Sequence, residues 1–183
     1  MVLILVLLGV VAVVVTLYNR FVRLRNGADA AWSDIDVQLK RRWELVPNLV
    51  ETVKGYATHE REVFEAVTQA RAQAIQAQGQ GPAQAGQAES VLNGALGRLF
   101  AVAENYPQLR ASENFKRLQD ELTDTEDKIA AARRYYNTTV RRFNSLIQSV
   151  PTNIVARLGS FREREFFRIE DDADRAPVAV NLS

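Results

Sequence analysis

Residues Ala31–Glu60, AWSDIDVQLKRRWELVPNLVETVKGYATHE, decide the fold. Apolar residues recur there at alternating spacings of three and four, the mark of a helix with a buried side. One seam runs through Trp32, Leu39, Val46 and Val53, and continues through Glu60, Val67 and Ala74. A second holds Ile35, Arg42, Leu49, Tyr56, Val63 and Ala70, and a flanking row holds Trp43, Val50, Ala57 and Phe64. Three adjacent rows make a face too wide for a two-stranded coil and suited to a helical bundle. The pattern predicts one long helix up to the Gln/Gly-rich stretch that starts at Ala77. Pro47 kinks it, because proline cannot donate to the Trp43 carbonyl. Arg42 and Glu60 interrupt the seams. A charge in a seam is costly unless paired, so both are expected to set register, with Thr125 or Thr139 of a facing helix opposite them.

Upstream, Met1–Tyr18 reads MVLILVLLGVVAVVVTLY and carries no charge. Eighteen helical residues extend about 27 Å, against about 30 Å of bilayer hydrocarbon, which predicts a transmembrane anchor over residues 1–18. Tyr18 suits the interface, and Arg20 can snorkel. A cleaved signal peptide is the competing reading. It needs a basic region before the apolar run, and the A-x-A pattern at Ala28-Asp29-Ala30 lies beyond Arg20, Arg23 and Arg25. Those arginines place the C-terminal part in the cytoplasm by the positive-inside rule, with the N-terminus outside. Leu17, Phe21, Leu24, Ala28, Ala31 and Ile35 carry the stripe through a connector, residues 19–30, into the bundle helix. Whether the helix is continuous across Gly27 stays open at this point.

Downstream, residues 77–88, AQGQGPAQAGQA, are low-complexity and read as a flexible loop. A second helix is expected from Glu89 to Asn105, stopped by Pro107, and a third from an N-cap at Ser112 to Pro151. The third has a long seam, through Phe115, Leu118, Leu122, Ile129, Tyr136 and Phe143 among others. A short helix, Thr152–Leu158, closes at Gly159. Phe161, Phe166, Phe167 and Ile169 are expected to fold back onto the bundle, and residues 170–183 to form an acidic, disordered tail. The expected class is all-α: a transmembrane helix, then, over residues 31–169, an elongated antiparallel bundle of three long helices plus a short C-terminal one.

The 23 basic and 22 acidic residues leave a formal charge of +1, which argues against a general nucleic-acid binder. Without cysteine there is no disulfide, thiolate metal site or thiol nucleophile. His59 is the one histidine. It pairs with Glu62 at helical spacing and stands next to Glu60, short of the ligand sets of di-metal bundles or zinc hydrolases. Phosphate-binding, dinucleotide and serine-hydrolase signatures do not occur. The expectation is therefore no enzyme, no catalytic residue, no cofactor and no metal. Arg133, Arg134, Arg141 and Arg142, with Lys128, form a basic stripe. It reads first as a solvated face, and second as a contact for anionic lipid or a partner.

The Ala31–Glu60 stretch, together with ENYPQLRASENFKRLQDELTDTEDKIAAARRYYNTTVRRFNSLIQSVPTN (residues 104–153), resembles the LemA family of bacterial membrane proteins. Asp34, Asp36, Pro47, Asn48, Gly55, Tyr56, His59 and Glu60 fit the first block of that pattern. Asn105, Tyr106, Pro107, Gln119, Glu121, Thr125, Glu126, Arg133, Tyr136, Asn137, Asn144, Pro151 and Asn153 fit the second. Trp43 and Val150 depart from it, without touching a reactive group. The resemblance implies an all-helical bundle behind one span of the bacterial inner membrane, and no agreed reaction. It also implies association with membrane stress responses, membrane metalloproteases or magnetosome membrane formation. The residues to watch as partner or register positions are Arg42, Asn48, His59, Glu60, Asn105, Tyr106, Arg133, Tyr136 and Asn137. The expected function is a non-enzymatic membrane scaffold or adaptor, with the lipid bilayer and a membrane protein, a metalloprotease being one candidate, as partners. The alternatives are a self-assembling, homo-oligomeric membrane-shaping protein and a metal-dependent enzyme built on His59 and nearby carboxylates.

Overall fold

Helical periodicity governs most of the described residues. The computed structural model describes residues 1–169, and among these there are six helices and no strand. They are α1 (Val2–Lys54), α2 (Arg61–Gln76), α3 (Pro82–Glu104), α4 (Pro107–Ala111), α5 (Glu113–Gln148) and α6 (Thr152–Leu158). The protein is all-α. The tail expected over 170–183 lies outside the described residues.

Contacts divide the described residues into two units, one of residues 1–35 and 130–166, the other of residues 36–129 and 167–169. In the first, α1 runs unbroken through Gly27, so the stripe from Leu17 to Ile35 belongs to one helix. Phe21, Ala28, Ala31 and Ile35 are buried on it. Residue numbers rise along α1 as they fall along α5: Phe21 meets Phe143, Gly27 lies beside Thr139, and Trp32 meets Tyr136. The two helices are antiparallel. Phe21 stacks on Phe161 with ring centroids 4.9 Å apart and meets Phe143 edge-on at 6.0 Å. Val155 and Ala156 of α6 complete this cluster, with Leu17, Leu24, Leu146 and Ile147 around it. Burying an aromatic ring of this kind contributes about 1.5–3 kcal/mol. The segment 161–166 after α6 has no regular secondary structure and is held by α5. Asn144 Nδ2 donates to the Arg164 carbonyl and its Oδ1 accepts the Arg164 N–H, both at 2.9 Å.

In the second unit Leu39, Val46, Leu49 and Val53 of α1 are buried as the seams require, with Phe64, Val67, Ala70 and Ala74 of α2. Leu92, Leu96 and Leu99 of α3 and Phe115, Leu118 and Leu122 of α5 line the same core. One expectation fails here. The long first helix stops at Lys54, and 55–60 is a turn before α2. The Tyr56 and Ala57 N–H groups both reach the Val53 carbonyl, at 3.0 and 2.9 Å. Gly55 and the Thr58-His59 pair are weak helix formers, and the buried Ala57 pins the turn to the core. Pro47 lies inside α1, which continues past it.

The stretch 77–88 is not a loop throughout. Only 77–81 turns, with Gly79 and Gly81 at φ +80° and +106°, and α3 then starts on Pro82. Proline at the first helical position costs no hydrogen bond, and the Ala and Gln residues that follow favour helix. Low complexity here disguises a helical first turn. Gly86 has its own reason: a Cβ at that position would run into the Arg168 carbonyl oxygen, so the backbone after Phe167 docks on α3 where no side chain intervenes. Phe167 itself is fully buried. Pro107 ends the preceding helical stretch, and it also opens the short α4.

Candidate functional site: a buried polar cluster on the first helix

Arg42 is 2% exposed and Glu89 1%. Arg42 Nη1 donates to Glu89 Oε2 at 2.8 Å, and the Trp43 indole N–H donates to Glu89 Oε1 at 2.7 Å. The second guanidinium nitrogen, Nη2, donates to the Asn93 side-chain oxygen and to Glu126 Oε1, the latter at 3.1 Å. Three helices, α1, α3 and α5, thus meet on one cation. Burial pushes the Glu89 carboxyl up from its ordinary range, while Arg42 and the Trp43 donor pull it back. Glu126, half-exposed, neutralises the solvent side.

The register expected against Thr125 or Thr139 is not the one found. Thr125 is buried, but its hydroxyl donates to the Glu121 carbonyl of its own helix. Arg42 takes Glu89, Asn93 and Glu126 instead, because a guanidinium out of water needs a carboxylate, which a hydroxyl cannot replace. Glu60 is not in a seam at all. It sits where α2 begins, its carbonyl accepting the Val63 and Phe64 N–H groups.

The next residue, Trp43, carries the other polar feature. Pro47 leaves the Trp43 carbonyl without its helical donor, and Arg71 Nε of α2 fills the vacancy at 2.7 Å. A side chain from the next helix repairs what the proline removes.

The other candidate residues do not converge. Asn48 is exposed on α1, with its carbonyl accepting the Thr52 hydroxyl. His59 is exposed in the 55–60 turn. Asn105 lines a groove of about 590 Å³ at the junction of α3, α4 and α5, together with Phe100, Arg110, Phe115 and Lys116, and Tyr106 is half-buried beside it in sequence. Arg133, Tyr136 and Asn137 belong to the first unit. Tyr136 is buried against Trp32, and its hydroxyl donates to the Glu165 carbonyl at 2.9 Å. Burial, the larger effect, raises its phenol above the usual value, and Arg164 partly offsets it. Among the described residues no three His, Asp or Glu side chains are grouped to hold a metal ion.

Sequence reasoning singled out Arg42 and missed Glu89, Trp43 as a donor, Asn93, Glu126 as a partner of Arg42, and Arg71. One signal was available. Ala85, Glu89, Leu92, Leu96 and Leu99 keep helical spacing, so Glu89 interrupts an apolar seam as Arg42 does. Ending the loop at 88 hid it.

Residues 31–182 match the LemA family. The chain is 28% identical to Magnetosome protein MamQ of Magnetospirillum gryphiswaldense, over 93% of this chain and 72% of that protein. It is also 28% identical to Magnetosome protein MamQ 2 of Paramagnetospirillum magneticum, over 96% and 74%. With Protein LemA of Metamycoplasma hominis it shares 30% identity over 84% of this chain and 73% of that one.

Proposed function

The chain belongs to the LemA family, and on that premise we propose that it is a membrane-anchored, non-enzymatic scaffold of the bacterial inner membrane. The observation that carries this reading is where the polar chemistry goes. Arg42, Glu89 and Trp43 bond to one another inside the core, with only the Arg42 Nε left over in this cluster, and the Tyr136 and Asn144 side chains are spent on the backbone of the C-terminal segment. His59 stands exposed in a turn, away from any grouped carboxylates. Groups used up in internal bonds hold shape; a reactive centre needs groups left poised toward a cleft. Residues 2–15 support the anchor: they are helical, uncharged and exposed, and α1 is long and apolar enough there to cross a membrane. Arg20, Arg23 and Arg25 favour a bundle in the cytoplasm.

The partner is the bilayer together with a membrane protein, a metalloprotease being one candidate. The magnetosome names of two relatives support work at a membrane over work in solution. Photo-crosslinking in native membranes from exposed positions such as Val37 and Tyr135 tests the scaffold role, with recurrent capture of one membrane protein as the expected result. Stoichiometric metal in the purified full chain, lost on His59→Ala, would instead establish the metal-dependent alternative. Because the chain has no cysteine, Ser183→Cys offers one labelling site, and reaction with an impermeant thiol reagent in intact cells would reverse the topology.

A further inference from the structure

We infer that the α5–α6 turn and the outer face of α6 form a second membrane contact, lying in the interface of the same leaflet in which the apolar part of α1 ends. This rests on the reading of α1 as a membrane span. Three large apolar residues are exposed here, Val150 at 79%, Ile154 at 57% and Leu158 at 78%. They are four residues apart, so Ile154 and Leu158 share one side of α6 while Val155 and Ala156 fill the aromatic cluster on the other.

The register of α1 against α5 sets their height. Phe21 faces Phe143, and Leu17 joins Leu146 and Ile147 in the same cluster. In an antiparallel pair rising about 1.5 Å per residue, Gln148 comes level with about Thr16 and the turn at Val150 lies beyond it, about 3–6 Å past Tyr18. The charge-free stretch of α1 reaches Tyr18. The turn therefore stands beside side chains that the span reading puts in lipid. Amphipathic elements lying in the interface bury their apolar side about 5–10 Å deep, a comparable distance.

At the far end of α6, Gly159 lies against Tyr18, whose ring is 5.5 Å from Phe161. Leu158 is thus held at the level of the interfacial tyrosine. Exposed cations flank the patch: Arg157 on α6, and Arg20, Arg23 and Arg25 on α1, the last over the Phe161 ring at 5.6 Å. Glu163 is the nearby carboxylate, and it accepts a hydrogen bond from Gln148 at 3.0 Å. Apolar side chains at interfacial depth with arginines around them match an anionic lipid surface.

The absence of native cysteine makes the test direct. Ile154→Cys, Leu158→Cys, Val14→Cys and Tyr135→Cys would each be spin-labelled in the full chain, in nanodiscs of phosphatidylcholine and phosphatidylglycerol. Collisions with oxygen and with a water-soluble nickel chelate then report depth. We expect labels at 154, 158 and 14 to favour oxygen, and the label at 135 to favour the chelate. If 14 reads as immersed while 154 and 158 read as aqueous, the second contact is overturned and the span stands. If 14 also reads as aqueous, the span reading falls and takes the contact with it. Spin–spin broadening at 158 without a gain in oxygen collisions would give this face to a second copy of the chain, and would equally overturn the lipid assignment.

Discussion

Replacing Arg42 with methionine keeps most of the side-chain volume and removes the charge. Glu89 then remains in the core with the Trp43 indole as its one remaining donor from this cluster, and Asn93 and Glu126 lose the cation. Breaking a buried pair from one side costs about 3–5 kcal/mol, since the stranded charge keeps its desolvation penalty and loses its compensation. For a chain of this size each kcal/mol moves Tm by about 2–4 °C, so Arg42→Met should lower it by about 6–20 °C. Removing both charges, in Arg42→Met with Glu89→Leu, strands no ion. The double variant loses mainly the acceptor of the Trp43 N–H, about 1–3 kcal/mol, and should be more stable than Arg42→Met alone. The sign of the pH dependence follows from Glu89. Its folded-state pKa lies above the unfolded one, so the folded state binds more protons and the stability this group contributes falls as pH rises through that window. Without Arg42 the upward shift grows, and the Arg42→Met deficit should shrink as pH is lowered from about 8 to about 5. Urea unfolding of the full chain in detergent, followed by helical circular dichroism, measures these two variants and Glu89→Leu alone. A double variant whose loss equals the sum of the single losses would falsify the pairing of Arg42 with Glu89 as one energetic unit.

Three further outcomes follow from the geometry. Arg71→Ala should cost about 1–3 kcal/mol in the native chain and less in a Pro47→Ala background, where a helical N–H can again reach the Trp43 carbonyl; equal losses in both would remove the repair role of Arg71. Gly86→Ala must push the backbone at Arg168 off α3, so hydrogen exchange and proteolysis around Phe167 should accelerate, at a cost of about 1–3 kcal/mol, and unchanged exchange there would contradict the close approach. Tyr136 should ionise above the usual tyrosine range in an alkaline absorbance titration. Because its folded pKa is raised, the stability it contributes is lost as pH climbs past about 10, and Tyr136→Phe should flatten that loss.

Much of the bundle was legible because burial writes itself as spacing. Phe21, Ala28, Ile35, Leu39, Val46 and Leu49 were placed on a buried face from their intervals alone, and that is where they lie. The bounds of α6, set by Pro151 and Gly159, were equally plain. What failed was the reading of helix ends. A heptad can be continued through Glu60 on paper, yet α1 stops at Lys54, since periodicity records which side is buried and says little about whether the backbone turns between two helices. Gln- and Ala-rich sequence hid the start of α3 because it lacks large apolar residues, although its first turn packs through Ala85 and Gly86. The polar cluster was half legible. A lone arginine in a seam announces that it needs an anion, but the anion's address depends on which helix folds beside it.

The grip of Asn144 on residue 164 has a consequence for how the C-terminal segment can vary. A carboxamide that gives one bond to a carbonyl and takes one from the N–H of the same residue copies what a neighbouring strand would do, using one side chain. Such a clasp recognises main chain and is blind to what projects from it. The clasp itself would survive a change of Arg164, although that change would cost the guanidinium its ion pair with Asp29 of α1, whereas proline at that position would remove the N–H and undo half of it. Asn144 has no such freedom: aspartate offers no N–H donor and leucine offers neither partner. The clasp thus constrains Asn144 alone, while the side chains of the held segment answer to their own contacts, Phe161 in the aromatic cluster and Arg164 with Asp29.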